Sequence, residues 1–310
     1  MTPLAAAYLA AQDQLNAIYR DAVAGQGQGN RSRTAYLAFL LAAALAVVDA
    51  LDAAAHDYAT QQIAESFAAG AVHVDPEWQW SDTEVNIAHA LAADSYADLI
   101  AANNDVRAAA KRLFRELRDA NVDVETRIGA LTAAEYASGA GFARVLYRNG
   151  ARFPLAAYAS MAVNTKLAVA FNAGALNAAA GLGAAYIEVR DGPECGWSTH
   201  RDPDKADGTV RAIEDFAAFP IAHPNCVRTP GAVRLDVTTP QEAADATPFT
   251  PDAPPVDQPV PAVAASPVRR AGRSSRTSRA GAAAAAVAGA TAMSQRRASR
   301  QFARLRRTQR

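Results

Sequence analysis

Along the first 180 residues, apolar positions recur at the three- and four-residue spacing of helices. Leu4 to Ala24 predicts a first helix, ended by the flexible link GQGQGN at residues 25–30. Residues 33–69 predict a long helical stretch, and the charges at Asp49–Asp57 mark a place where it can break. VHVDPEWQW, residues 72–80, reads as a connector around Pro76. Ser81 stands three residues before Glu84, the spacing of a capping box, and opens a helix to about Ala102. Val106, Ala109, Leu113, Phe114 and Leu117 mark one apolar face of the next helix. Thr132 and Glu135 form a second candidate box, whose helix stops at Asn149–Gly150. Pro154 precedes another helix, Leu155 to Ala180, on which Tyr158, Met161, Leu167 and Phe171 need burial. Ser160, Asn164 and Asn172 line one side of it, as a solvent face or as a contact surface.

The period then changes. Tyr186, Ile187 and Val189, after Gly181 and Gly183, read as a turn into a short strand. A loop-rich stretch follows to about Gly231, and AVRLDV, residues 232–237, predicts a closing strand. Thr238 to Ser266 is rich in proline and too poor in apolar surface to fold, so it reads as a linker. The predicted class is mainly α. A helical N-terminal region (1–146) precedes a small α+β, loop-rich knuckle (147–237), a Pro-rich linker (238–266) and a disordered basic tail (267–310).

Charge sharpens this division. The chain has 31 basic and 31 acidic residues, yet from Ser266 onward there are twelve arginines and no acidic residue. An acidic body therefore carries a strongly basic end, which points to a polyanionic partner. The candidate nucleic-acid contacts are Arg269, Arg270, Arg273, Arg276, Arg279, Arg296, Arg297, Arg300, Arg304, Arg306, Arg307 and Arg310. No zinc-finger or helix-turn-helix pattern accompanies them, so the expected contact is with phosphates and not with base sequence. The longest uncharged apolar run, residues 35–48, falls short of the ~20 residues of a membrane span and predicts a buried helix. No membrane partner is expected, and MTPLAAAYLA lacks the basic start of a signal peptide.

The chemistry concentrates in one place. The chain has five histidines and two cysteines, and both cysteines and two histidines fall between residues 195 and 226. Cys195 and His200 form one short-range pair, His223 and Cys226 another, which meets the four-ligand count of a tetrahedral site. Thiolate and imidazole suit Zn2+ better than Mg2+ or Ca2+. A hydrogen-bonded knuckle without metal and a Cys195–Cys226 disulfide are the other readings of the same residues. Cysteine with histidine is also a nucleophile and base pair, with Asp202, Asp204 and Asp207 close by to orient the base or bind a hard cation. HRDPDKADG equally reads as a plain solvent loop. No GxSxG, HExxH or phosphate-loop pattern is present.

The stretch from residue 147 to 232 resembles the Mu F-like phage minor head proteins, the head morphogenesis family, especially forms from phages of actinobacteria. The matching features are the Pro154–Tyr158 helix start, Thr165, Asn172 and Gly174 on the helix, and the strand before Asp191-Gly192. Cys195 and His223-Pro224-Asn225-Cys226 complete the match. Many relatives carry a further cysteine where this chain has Ser198, and another where it has Arg228. The resemblance implies a low-copy structural component, not an enzyme, inside the phage head and assembled in the host cytoplasm. Its partners would be the portal protein, capsid or scaffold proteins, and packaged DNA. A capsid maturation protease or metal-dependent hydrolase centred on the Cys/His cluster is the alternative.

Overall fold

The computed structural model describes residues 2–24, 30–119, 143–146, 152–199 and 202–247. In chain order the elements are α1 (Pro3–Ala24), α2 (Asn30–Val74), α3 (Asp82–Asp119), β1 (Arg144–Leu146), β2 (Arg152–Pro154) and α4 (Leu155–Gly181). Then come β3 (Tyr186–Arg190), β4 (Val210–Ala212), α5 (Ile213–Ala218), β5 (Thr229–Arg234) and α6 (Pro240–Ala246). The protein is mainly α, with its small sheets late in the chain.

Local chemistry sets the helix starts. Thr2 accepts the Ala5 N–H at 3.2 Å, with Pro3 in the first helical position. The Ser81–Glu84 box forms as expected: Ser81 N–H donates to Glu84 at 2.8 Å and Glu84 N–H to Ser81 at 3.3 Å. Glu84 also accepts from the Trp78 indole at 2.7 Å. α4 is started from outside: Gln12 of α1 accepts the Ala156 N–H at 3.0 Å, and the Ala143 carbonyl accepts the Leu155 N–H at 3.0 Å.

Helix α2 is the axis against which α1, α3 and α4 all pack. Its buried stripe, Leu37, Leu40, Ala44, Val48, Leu51, Ala55, Tyr58, Ile63, Phe67 and Ala71, keeps helical spacing throughout. The expected break at Asp49–Asp57 is absent. Asp49 and Asp52 instead pair with Arg107 of α3, the former at 2.7 Å. The expected end of a helix near Ala102 is absent too, because α3 runs on to Asp119. Asn103 is fully buried there, accepting from the Tyr8 hydroxyl at 3.0 Å and donating to Asp52 at 2.8 Å. Polar residues that look like interruptions are links between helices.

Among the described residues α2 is the one helix long and apolar enough to cross a membrane. The buried helix expected at 35–48 is buried on one face only: Ala35, Ala38, Ala42 and Ala46 are exposed, and Phe39 is 67 % exposed.

Where α2 crosses α4, backbone meets backbone. A Cβ on Gly174 would sit 1.9 Å from the Phe67 carbonyl oxygen, and one on Gly70 would sit 1.8 Å from that of Phe171. Only glycine permits this approach.

Arg144–Leu146 is a strand, not the end of a helix, and pairs antiparallel with Arg152–Pro154. The Asn149-Gly150 pair, read above as a helix stop, lies outside the described residues. The Thr132–Glu135 box, the 25–29 link and residues 147–151 lie outside the described residues.

The C-terminal half of α4 carries the knuckle. A three-stranded antiparallel sheet, order β4-β3-β5, turns Ile187 and Val189 inward. They meet Leu176 and Ala179 of α4, Trp197, and Phe216 of α5. The closing strand begins earlier than expected, at Thr229, and ends at Arg234. β4 and α5 lie within the stretch read as loop. The stretch read as linker opens with α6, started by a Thr239–Glu242 capping box with Pro240 behind it. Ala243 of α6 packs with Val210 and Val237. Residues 248–266 and the twelve tail arginines lie outside the described residues.

Candidate metal centre

Each cysteine closes a proline-led turn. In Gly192-Pro193-Glu194-Cys195 the Cys195 N–H donates to the Gly192 carbonyl at 2.9 Å. In His223-Pro224-Asn225-Cys226 the Cys226 N–H donates to the His223 carbonyl at 3.0 Å. Asn225 has φ of 61°, the left-handed conformation that the residue after a turn proline takes and that asparagine tolerates. α4 grips this second turn from below. Thr165 accepts the Asn225 N–H at 3.3 Å, and Asn164 donates to the Asn225 side chain at 3.3 Å.

The two turns converge. Cys195 Sγ lies 3.3 Å from His223 Nε2, and the ligand atoms of Cys195, His223 and Cys226 all fall within 4.8 Å of one another. Both cysteines are buried and neither is in a disulfide, so the Cys195–Cys226 bridge is not formed. The imidazole is aimed by its own turn: Nδ1 lies 2.9 Å from the Pro224 carbonyl oxygen. A carbonyl can only accept, so Nδ1 carries the proton and Nε2 of the neutral ring presents its lone pair to the thiols. Three donors of this kind could hold a metal ion. His200, the fourth expected ligand, lies outside the described residues.

A carboxylate sits against both sulfurs. Asp191 Oδ1 is 3.5 Å from Cys226 Sγ and accepts the Gly192 N–H at 2.9 Å. Burial, then the negative charge of Asp191, push the Cys195 thiol up to about 11. Without a cation it is a thiol at neutral pH, the opposite of an activated nucleophile. A bound metal would reverse that preference, since only the thiolate ligates.

Asp191 is held in turn by Arg228, at 2.8 Å from Nε and 2.7 Å from Nη2, and both side chains are fully buried. The guanidinium also donates to the carbonyls of Gly196 (2.6 Å), Trp197 (2.8 Å) and Phe219 (2.7 Å). It lies 4.9 Å from the centre of the Trp197 ring, and Arg211 lies 4.6 Å from it. Asn172 of α4, fully buried, donates to the carbonyls of Arg228 (2.9 Å) and Pro220 (2.8 Å). Of the polar line on α4, then, Asn164 and Asn172 serve a contact surface inside the molecule.

The three aspartates of the 202–207 loop are each engaged by neighbouring residues of the knuckle. Asp202 accepts from Ser198 and from the Asp204 N–H at 3.1 Å. Burial raises its pKa, but these bonds outweigh burial and hold the carboxyl below its usual value. Asp204 pairs with Arg211 at 2.8 Å, and Asp207 accepts the Asp191 N–H at 2.8 Å. Ser198 is bonded to Asp202.

Spacing brought out Cys195, His223 and Cys226 and placed Asn172 on the polar line of α4, but did not single out Asp191 or Arg228. Nothing in the spacing of a lone arginine signals burial. The one available hint was the Asp191-Gly192 pair directly after a strand.

No family model, curated protein or solved structure matches the chain in these comparisons.

Proposed function

We propose that this chain is a minor head protein of a phage, a structural component that works inside the head beside the portal. One observation carries the reading. Most of the positions on which the resemblance rests, from Thr165 to Cys226, are far apart in sequence yet bond to one another or to close neighbours in one unit. Thr165 holds Asn225, Asn172 holds the Arg228 carbonyl, Cys195 faces His223, and Cys226 faces Asp191. Gly174 lets α4 and everything mounted on it sit against α2. A motif whose members support one another physically is a fold signature, and here it describes a rigid knob on a helical stem.

In this reading Cys195, His223 and Cys226 take Zn2+, whose softness suits two thiolates and an imidazole. The ion is not catalytic, and the protein turns nothing over. The tail arginines hold packaged DNA through phosphate contacts, an attachment that weakens steeply as salt rises. Portal and capsid or scaffold proteins are the protein partners.

Mass spectrometry of purified heads tests the assignment, together with co-purification of tagged full-length chain with the portal protein expressed beside it. The expected result is the chain at a few copies per head and a salt-resistant portal complex. Heads that form normally without it, or a chain that ignores the portal, overturn the assignment. Deleting residues 266–310 is expected to abolish salt-sensitive retention on DNA and to leave portal binding intact.

A further inference from the structure

We propose that the buried Arg228 guanidinium, and not a metal ion, is the staple that holds the 191–228 unit together. The Cys195–His223–Cys226 corner is then set in ligand geometry before any ion arrives. This second statement rests on the zinc reading above; the first does not.

The guanidinium is fully satisfied. It has five N–H groups. Nε meets Asp191; Nη1 meets the Trp197 and Phe219 carbonyls; Nη2 meets the Gly196 carbonyl and Asp191 again. Its side chain is 0 % exposed. Those acceptors lie on separate segments: the end of β3, the 195–199 loop and the residue after α5. Arg228 itself stands one residue before β5.

The ligands fall between these fixed points. Cys195 lies between Asp191 and Gly196. His223 and Cys226 lie between Phe219 and Arg228. Each ligand is therefore anchored on both sides by the same cation. Asp191 extends the hold to the sulfur, because the oxygen not taken by Arg228 faces Cys226 Sγ. A planar cation with five fixed donors does here what a tetrahedral ion does in a metal knuckle: it gathers several loops onto one centre.

Hydrogen–deuterium exchange of the full-length chain tests this, read peptide by peptide after chelation and after adding zinc. Cobalt(II) titration, read by the thiolate-to-cobalt charge-transfer band, runs beside it. Chelated wild type is expected to keep slow exchange across 191–197 and 226–233. Arg228→Met is expected to lose that protection with or without zinc, to keep it in α1–α3, and to bind cobalt about 10–100-fold more weakly. Arg228→Lys retains the charge without the fork and is expected to fall between.

Loss of protection in chelated wild type, restored by zinc, makes the ion the staple and overturns the proposal. So does wild-type protection in Arg228→Met. Protection in a wild type that takes up no cobalt upholds the staple and removes the zinc reading instead. The chelation arm uses the wild type alone, so it decides the matter even if Arg228→Met fails to fold.

Discussion

The helical body and the knuckle are held by different physics. In the body, α1 to α4 bury Leu, Val, Ala and Tyr side chains along continuous stripes, and the helices satisfy their own backbone groups. In the knuckle, the apolar cluster is small, and the loops between strands depend on side chains to satisfy their carbonyls. Arg228, Asp191 and Asn172 supply that. Apolar contact is graded and forgiving, whereas a buried polar network fails as a unit when one member is lost. The two regions should therefore answer mutation differently.

The seam between them is the most sensitive place. Gly174 lies where α4 leaves the body core and enters the knuckle core, pressed on the Phe67 carbonyl. Gly174→Val puts a side chain where a backbone oxygen already is, and neither helix can yield locally. A loss of about 3 kcal/mol or more is expected, at the upper end for overpacking. Urea titration by far-ultraviolet circular dichroism checks it. If α2 and α4 were free to slide apart, the cost would be near that of an ordinary helix substitution.

Asn172→Leu breaks the comparison in the other direction. It keeps the branched shape and heavy-atom count of the side chain but removes both donors to the Pro220 and Arg228 carbonyls. About 2 kcal/mol is expected, confined to the knuckle, because buried acceptors lose their partners. Exchange rates should rise in 219–231 while those of α1–α3 stay fixed. Uniform change across both regions would mean that they unfold as one.

The same contrast explains what the sequence disclosed. The body's helices were readable because burial there follows a period, and the Ser81–Glu84 box was readable because it is local. The misreadings at Asp49–Asp57 and near Ala102 share one cause. Asp52, Asn103 and Arg107 are polar for a partner on another helix, and no local pattern records that partner. In the knuckle, the sulfur and imidazole of Cys195, His223 and Cys226 were legible from residue type and spacing. Arg228 was not, since its acceptors are mostly main-chain carbonyls, which every residue has. The Thr239–Glu242 box was present in the sequence but concealed by the proline-rich composition around it.

The smallest effect sharpens the comparison from the body's side. Tyr58 on α2 is buried and donates to the Val163 carbonyl of α4 at 3.2 Å. Burial pushes its hydroxyl from 10.0 up to about 12, with a contact from Ser95 partly offsetting that. The folded state thus favours the protonated phenol. Its contribution is fully present below pH 10 and is lost as pH climbs toward 12. The whole swing is about 2–3 kcal/mol. Tyr58→Phe gives up the hydrogen bond, about 1 kcal/mol, but has no proton to lose. The variant should therefore be the less stable protein at about pH 8, with the gap closing above pH 10 and already reversed by about pH 12. Tyr8 is also raised by burial and titrates in both proteins, so it cancels in the difference. Unfolding midpoints of the two proteins across that range measure the crossing. Parallel curves would mean that the α2–α4 interface admits water at Tyr58 and that the body is less tightly closed there than its burial indicates.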